Sequence, residues 1–253
     1  MRSVLDRDAS VPDDTTSPNV AKNRLSGSGI VVVVGTFFGP VIEGVLLFWT
    51  AGRLDLPRAW LFLAVSFIGV FGNIAVVALA NPELVNHRGR WRAKKDSKPW
   101  DKTFVTTYGL TAFYILPIVM GLDVGRYGWS HLGSWAAWVG TSLFLSGSAV
   151  MTWAMLVNTH FEVSVRIQTD RRHRVVTTGP YAVIRHPGYI GATLLALGSP
   201  LIVGSAYGLI PAAFAAGVLF LRTRREDDTL QTELPGYADY AEKVRHRLLP
   251  GIW

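Results

Sequence analysis

The stretch Gly188–Leu221, GYIGATLLALGSPLIVGSAYGLIPAAFAAGVLFL, runs 34 residues without a charged side chain. One membrane span needs about 20 apolar residues, so the run is too long for a single upright helix. Pro200 and Pro211 lie within it, with Gly204 and Gly208 between them. Helix breakers in the middle of an apolar run mark a turn. The reading is two short helices joined by a tight hairpin near Gly204-Ser205. Such a hairpin returns the chain to the side of the bilayer it left.

Upstream, the same pattern recurs. Residues Ala59 to Ala80, Thr103 to Leu122 and Leu132 to Val157 carry no charge, and Ile30 to Ala51 is apolar except for Glu43. The whole chain is 49% hydrophobic and 17% charged, with a mean hydropathy of +0.27; a soluble domain carries about 25% charged residues. These runs predict an all-α, multi-pass integral membrane bundle of about six spans, closed by the C-terminal hairpin. Four spans plus a re-entrant pair is the alternative. The fourth run is rich in small residues (Gly133, Ser134, Gly140, Ser142, Ser146, Gly147, Ser148), which let helices approach closely in lipid. The third and fourth runs read as structural.

Lys and Arg set the orientation, because they concentrate in cytoplasmic loops. Segments 1–28, 81–102, 158–186 and 222–253 hold 22 of them, and the remaining three are Arg53, Arg58 and Arg126. Both termini and the two long loops are therefore expected in the cytoplasm. This bias, with attraction to anionic membrane lipid, accounts for the net charge of +7 without a nucleic-acid partner. The chain has no cysteine, which excludes disulfides and thiolate chemistry.

Residues 1–28 read as a disordered cytoplasmic tail, and residues 29–157 as a four-span N-terminal region. Glu43 is expensive in hydrocarbon unless it faces the bundle interior. Pairing with a neighbouring polar group is the favoured reading, and contact with a substrate the other. The basic segment His87 to Lys102, with Trp91 and Trp100, reads as a lipid-facing loop with interfacial anchors rather than a substrate-recruiting patch. Beyond the hairpin, Pro235-Gly236 makes a turn. Tyr237, Tyr240 and Val244 recur at helical spacing, predicting a short cytoplasmic C-terminal helix.

Chemistry-bearing side chains concentrate in two segments, 158–189 and 222–247, which the hairpin joins. In Gly179-Pro180-Tyr181-Ala182-Val183-Ile184-Arg185-His186-Pro187-Gly188-Tyr189, a Pro just inside a helix start follows Arg and His. Bare backbone N–H groups and cationic side chains at such an end attract anions. Arg222 and Glu226 lie one helical turn apart and share a face. Span counting alone puts these two feet of the hairpin together at the membrane boundary. The spacing of His160, His173 and His186 fits no usual zinc pattern, so no metal is expected.

The order Asn158-Thr159-His160-Phe161, His173-Arg174-Val175-Val176-Thr177-Thr178-Gly179-Pro180-Tyr181, Arg185-His186-Pro187-Gly188-Tyr189, Arg222 with Glu226-Asp227 and Leu230, then Gly236-Tyr237 and Tyr240, resembles the isoprenylcysteine carboxyl methyltransferase family in its bacterial and archaeal branch. It is also similar to the membrane phospholipid N-methyltransferases. The likeness covers about residues 158–253, and implies that this region is a methyltransferase-like cofactor-binding unit using S-adenosylmethionine. By that resemblance His173, Arg174, Val175, Val176, Tyr181, His186, Pro187, Gly188, Tyr189 and Glu226 bind the cofactor. Arg222 contacts the substrate, and Arg222, Glu226 and His186 are the candidate catalytic groups. Asp227 replaces the second acid of a paired-acid motif. Arg166 stands where a cofactor-touching glutamine is expected, with Gln168 nearby.

The residue types suit that cofactor. Arg185, His186 and the free N–H groups beyond Pro187 fit its carboxylate, Glu226 its ammonium, and the rings of Tyr181 and Tyr189 its adenine or sulfonium. The expected activity is methyl transfer to a lipophilic or lipidated acceptor drawn from the bilayer, with a carboxylate as the first choice. An amine or phospholipid acceptor is the alternative. A sterol-type nicotinamide-dependent reductase, using Arg171, Arg172 and Arg174 for an extra phosphate, and a non-catalytic membrane subunit are further alternatives.

Overall fold

The computed structural model describes residues 24–251 and Trp253. The expected N-terminal tail lies, as far as residue 23, outside the described residues. Eight helices follow in order. They are α1 (Gly27–Ala51), α2 (Pro57–Ala80), α3 (Pro82–Gly89), α4 (Pro99–Tyr127), α5 (Ser134–Val157), α6 (Pro187–Val203), α7 (Leu209–Glu233) and α8 (Tyr237–Lys243). Among the described residues there is no strand. Wide π-type turns interrupt α2 at Phe67–Phe71 and α4 at Thr111–Ile115 and Leu122–Tyr127.

Helices α1, α2, α4 and α5 have 25, 24, 29 and 24 residues and are apolar enough to cross a membrane. Their outward faces are hydrocarbon-like: Val31, Leu79 and Trp138 are 68%, 87% and 77% exposed. In water that pattern would be costly; in lipid it is what a spanning helix needs. The chain is thus an integral membrane helical bundle. The expected count of six adds the hairpin α6–α7. With 17 residues, α6 extends about 25 Å at ~1.5 Å per residue, slightly less than the ~30 Å hydrocarbon layer. The hairpin turns where the sequence places it. Gly204 closes α6 with φ 97°, a left-handed conformation that glycine adopts without strain.

Close helix approach explains the small residues. A Cβ on Gly147 would lie 2.7 Å from the Gly191 carbonyl oxygen, and one on Gly140 would lie 2.7 Å from that of Gly198. Two glycine pairs, seven residues apart on each helix, therefore weld α5 to α6. The far end of the bundle is sealed by Leu47, Phe62, Met120, Phe144 and Ile202. Polar groups also hold it. Arg58 donates to the carbonyls of Leu201, Ile202 and Leu132 at 2.6–2.8 Å, capping the end of α6. Asp123, fully buried, accepts from Ser130, Ser205 and the Tyr207 N–H.

At the opposite end, the segments around 24–28, 81–102, 158–186 and 222–253 gather together. Ser26 N–H donates to Asn86 Oδ1 at 2.8 Å, Lys98 N–H to the Val165 carbonyl at 2.9 Å, and Lys98 Nζ pairs with Glu233 at 2.7 Å. The basic segments thus share one end of the bundle. Trp253 folds back to stack on Phe220 at 4.1 Å.

Candidate functional site

The two feet of the hairpin meet on one carboxylate. Asp227, in α7 beyond the apolar run, is 0% exposed. Arg185 forks onto it, Nε to Oδ1 at 2.7 Å and Nη2 to Oδ2 at 2.8 Å. His186 Nε2 lies 3.1 Å from Oδ1, and the Tyr237 hydroxyl donates to the same oxygen at 3.0 Å. Arg247 Nε and Gln231 Nε2 donate to Oδ2 at 2.8 and 2.9 Å. Burial alone would raise this carboxyl, but the bonds from His186, Arg185 and Arg247 outweigh it and hold the group below the usual carboxylate range. The expected juxtaposition of the feet is therefore present.

This corrects the reading of Arg185. Its remaining nitrogen, Nη1, donates to the carbonyls of Val244, Arg245 and Ala241 at 2.7–3.3 Å. Every guanidinium nitrogen is committed to the chain itself, so Arg185 ties α6 to α7 and α8 and has no fork to offer a ligand carboxylate.

Beside this anchor lies a cavity of about 760 Å³, within the ~300–1,000 Å³ range of small-molecule sites. Of the residues expected at the site, His173, Arg174, Val175, Val176, Tyr181, His186, Gly188, Tyr189, Arg222 and Glu226 line it. Pro187 is buried at the first position of α6, where its missing N–H costs nothing, and is not part of the lining. Gly188 serves packing as well: a Cβ there would lie 2.5 Å from the Phe161 ring.

Glu226 accepts a short hydrogen bond from the Tyr189 hydroxyl through Oε2. The Tyr189 ring is flanked by the Arg222 guanidinium at 5.3 Å and the His186 ring at 5.8 Å. Tyr189 thus positions the acid, and its ring is already engaged on protein groups. Arg222 forks onto Asp101 of α4, which is fully buried, and its Nη2 also donates to the Val163 carbonyl at 2.7 Å. Asp101 also accepts the Val165 N–H at 2.8 Å. Arg222 Nη1 makes no hydrogen bond among the described residues.

The loop 158–176 supplies the polar wall. Gln168 donates to the His160 carbonyl at 2.7 Å and accepts from Arg171 at 2.9 Å. The His160 and His173 rings lie 4.6 Å apart, tilted by 40°. Burial, with neighbouring His160, Arg166 and Arg171, pushes the His173 imidazole down to about 4. It is therefore neutral near pH 7; its Nδ1 accepts the Gln168 N–H at 3.4 Å, which leaves the hydrogen on Nε2. Arg166 is held by Glu162, Asp96 and Asp170 at 2.7–2.8 Å; it and Gln168 both line the cavity with their polar atoms largely occupied. The Tyr181 hydroxyl accepts from Asn158 at 3.1 Å, and its carbonyl accepts from Tyr240 at 2.7 Å.

Three contributions escape sequence reasoning. Asp101 carries no motif that marks it, yet it holds Arg222. Arg88, within the segment read as a lipid-facing loop, lines the cavity, sits 5.6 Å over the Phe161 ring and donates to the Phe161 carbonyl. The third and fourth spans, read as structural, add Tyr108, Met151 and Met155 to the wall. Glu43, for which pairing with a neighbour is expected, makes no hydrogen bond or ion pair among the described residues and lines the cavity instead.

Comparison with known proteins agrees with this geography. Residues 138–232 match the Isoprenylcysteine carboxyl methyltransferase (ICMT) family. The match starts inside α5, upstream of the motif at Asn158, and ends one residue before α7 does. Two curated relatives, each named "Probable protein-S-isoprenylcysteine O-methyltransferase", come from Oryza sativa subsp. indica and Oryza sativa subsp. japonica. Each is 25% identical over 119 residues, which is 46% of this chain and 62% of the relative. The chain thus aligns with less than two thirds of those relatives' length. The family resemblance read in the sequence stands, carried by α5, α6, α7 and the loop between α5 and α6.

Proposed function

We propose that the protein is a membrane-embedded methyltransferase that takes S-adenosylmethionine from the cytosol and a lipophilic acceptor from the bilayer, with a carboxylate as the methylated group. The observation that carries this reading is one continuous cavity. At one end it has the acid of Glu226, the neutral His173 and the His186 ring; towards the membrane it is walled by the apolar helices α1, α2, α4 and α5. The placement of 22 Lys and Arg against three supports a cytoplasmic location for this end and for both termini.

The residues fit the cofactor's groups. Glu226 Oε1 makes no hydrogen bond among the described residues and would take the ammonium. His173, His186 and Tyr181 line the part of the cavity between the 158–176 loop and the feet of the hairpin. When bound, S-adenosylmethionine supplies a methyl group activated on a sulfonium. The chain's own task is then alignment. Arg222, fixed by Asp101, directs its Nη1 charge at an acceptor carboxylate, which is ionised at neutral pH and needs no general base. Helix walls exclude water and hold the acceptor in line. The relatives' printed names support a prenylated cysteine carboxylate as the acceptor class.

The reductase alternative gains little: of Arg171, Arg172 and Arg174, the lining includes Arg174 alone, and Arg171 donates to Thr159 and Gln168. Calorimetric titration of the detergent-purified protein tests the reading. Binding of S-adenosylmethionine and its demethylated product, without binding of a nicotinamide dinucleotide, supports it. Binding of the dinucleotide alone overturns it.

A further inference from the structure

Deep in the membrane part of the cavity, three glycines leave unusual room. Gly35 and Gly39 of α1 and Gly109 of α4 line it, and a Cβ on any of them would meet nothing within 4 Å. Residues 32, 35, 36, 39, 40, 42 and 43 all face this space, a helical stripe extending about 16 Å along α1 at ~1.5 Å per residue. Glu43 stands at the far end of the stripe. Tyr108 stands across from it on α4, three residues before the π turn Thr111–Ile115, and lies in electrostatic range of both Glu43 and Arg222. Neither the Glu43 carboxyl nor the Tyr108 hydroxyl has a hydrogen bond among the described residues. Two unsatisfied polar groups facing open space within a hydrocarbon layer are costly unless a ligand satisfies them.

We propose that Glu43 and Tyr108 form a second polar subsite, which receives a hydrogen-bond-donating group, a hydroxyl or an amine, carried on the apolar body of the acceptor. With a reacting head at Arg222 and a donor group at Glu43, the acceptor carries a second polar group besides its carboxylate. This deepens the methyltransferase reading and rests on it for the identity of the reacting end. The donor subsite itself is read from the cavity alone.

The test uses the full-length protein in detergent and three matched probes: dodecanoic acid, 12-hydroxydodecanoic acid and 12-aminododecanoic acid. Affinities are measured with and without S-adenosylmethionine. At least one of the two substituted acids is expected to bind ten-fold or more tightly than dodecanoic acid. That advantage disappears in Glu43→Leu and shrinks in Tyr108→Phe, with helicity and gel-filtration behaviour unchanged. Should Glu43→Leu not fold, Glu43→Gln and Tyr108→Phe decide the matter through the same comparison. Equal affinity for all three acids, or an advantage indifferent to these substitutions, overturns the subsite. Failure to bind S-adenosylmethionine overturns the cofactor assignment instead, and leaves the three-probe comparison interpretable.

Discussion

The Arg222 guanidinium forks onto Asp101 across the contact between α7 and α4, with Nε 2.7 Å from Oδ1 and Nη2 3.0 Å from Oδ2. The pair joins the hairpin to the third spanning helix, and it fixes the one cation proposed to meet the acceptor. Removing one partner of a buried pair strands the other charge, at a cost of about 3–5 kcal/mol. Asp101→Asn should therefore lower thermal stability and cut turnover of a prenylated cysteine carboxylate at least ten-fold, while S-adenosylmethionine affinity changes little. Arg222→Gln combined with Asp101→Asn should recover much of the stability and none of the turnover. Recovery of turnover in the double variant would reduce Arg222 to a strut.

Glu226 is the group proposed for the cofactor's ammonium. A hydrogen bond involving a charged group contributes about 1.5–3 kcal/mol, so Glu226→Gln should weaken S-adenosylmethionine binding roughly 10- to 100-fold by calorimetry. Tyr189→Phe removes only the hydroxyl that steers the acid, and its effect should be several-fold smaller. His186→Ala should also weaken binding, because it opens the lining and takes one donor from Asp227. Unchanged affinity in both Glu226→Gln and His186→Ala would rule out this placement of the cofactor.

Much of this arrangement is legible in the order of residues alone. The hairpin follows from a charge-free run with breakers at its centre, and the meeting of its feet follows from chain connectivity. Helix spacing puts Arg222 and Glu226 on one face. The choice among partners is what local sequence does not encode. Arg185 looks like a free anion ligand until Asp227, 42 residues away, is seen to consume it. Asp101 finds Arg222 across 121 residues of sequence, and no local pattern specifies such a pairing. The glycines of α5 announce close packing, but their partners Gly191 and Gly198 emerge only from the helix register.

Asp227 is the anchor of the whole end of the bundle, accepting from five side chains at the start of α6, on α7, on α8 and in the C-terminal segment. Asp227→Asn keeps the shape, yet it leaves Arg185 without a counter-charge and Arg247 with only Asp228, 3.8 Å away. It should cost about 3–5 kcal/mol, release α8 and the C-terminal segment to proteolysis, and abolish S-adenosylmethionine binding indirectly. Asp227→Glu keeps the charge and should retain part of both. Protease resistance equal to wild type in Asp227→Asn would show that the anchor is dispensable.

Acid should loosen the polar wall before it touches the helices. The His173 imidazole is held at about 4 by burial and by His160, Arg166 and Arg171, and His160 is lowered by burial as well. In the unfolded chain such rings titrate near 6.5. Between about pH 6.5 and 4 the unfolded state therefore binds protons that the folded state refuses. Stability is complete above that window and declines as pH falls through it. Melting curves in detergent should shift to lower temperature from pH 7 to pH 5, and His173→Gln should flatten the dependence. Because the neutral ring lines the cavity, S-adenosylmethionine affinity in the wild type should stay level between pH 8 and pH 6.5. A melting temperature that rises on acidification to pH 5 would contradict the buried, neutral state of this ring.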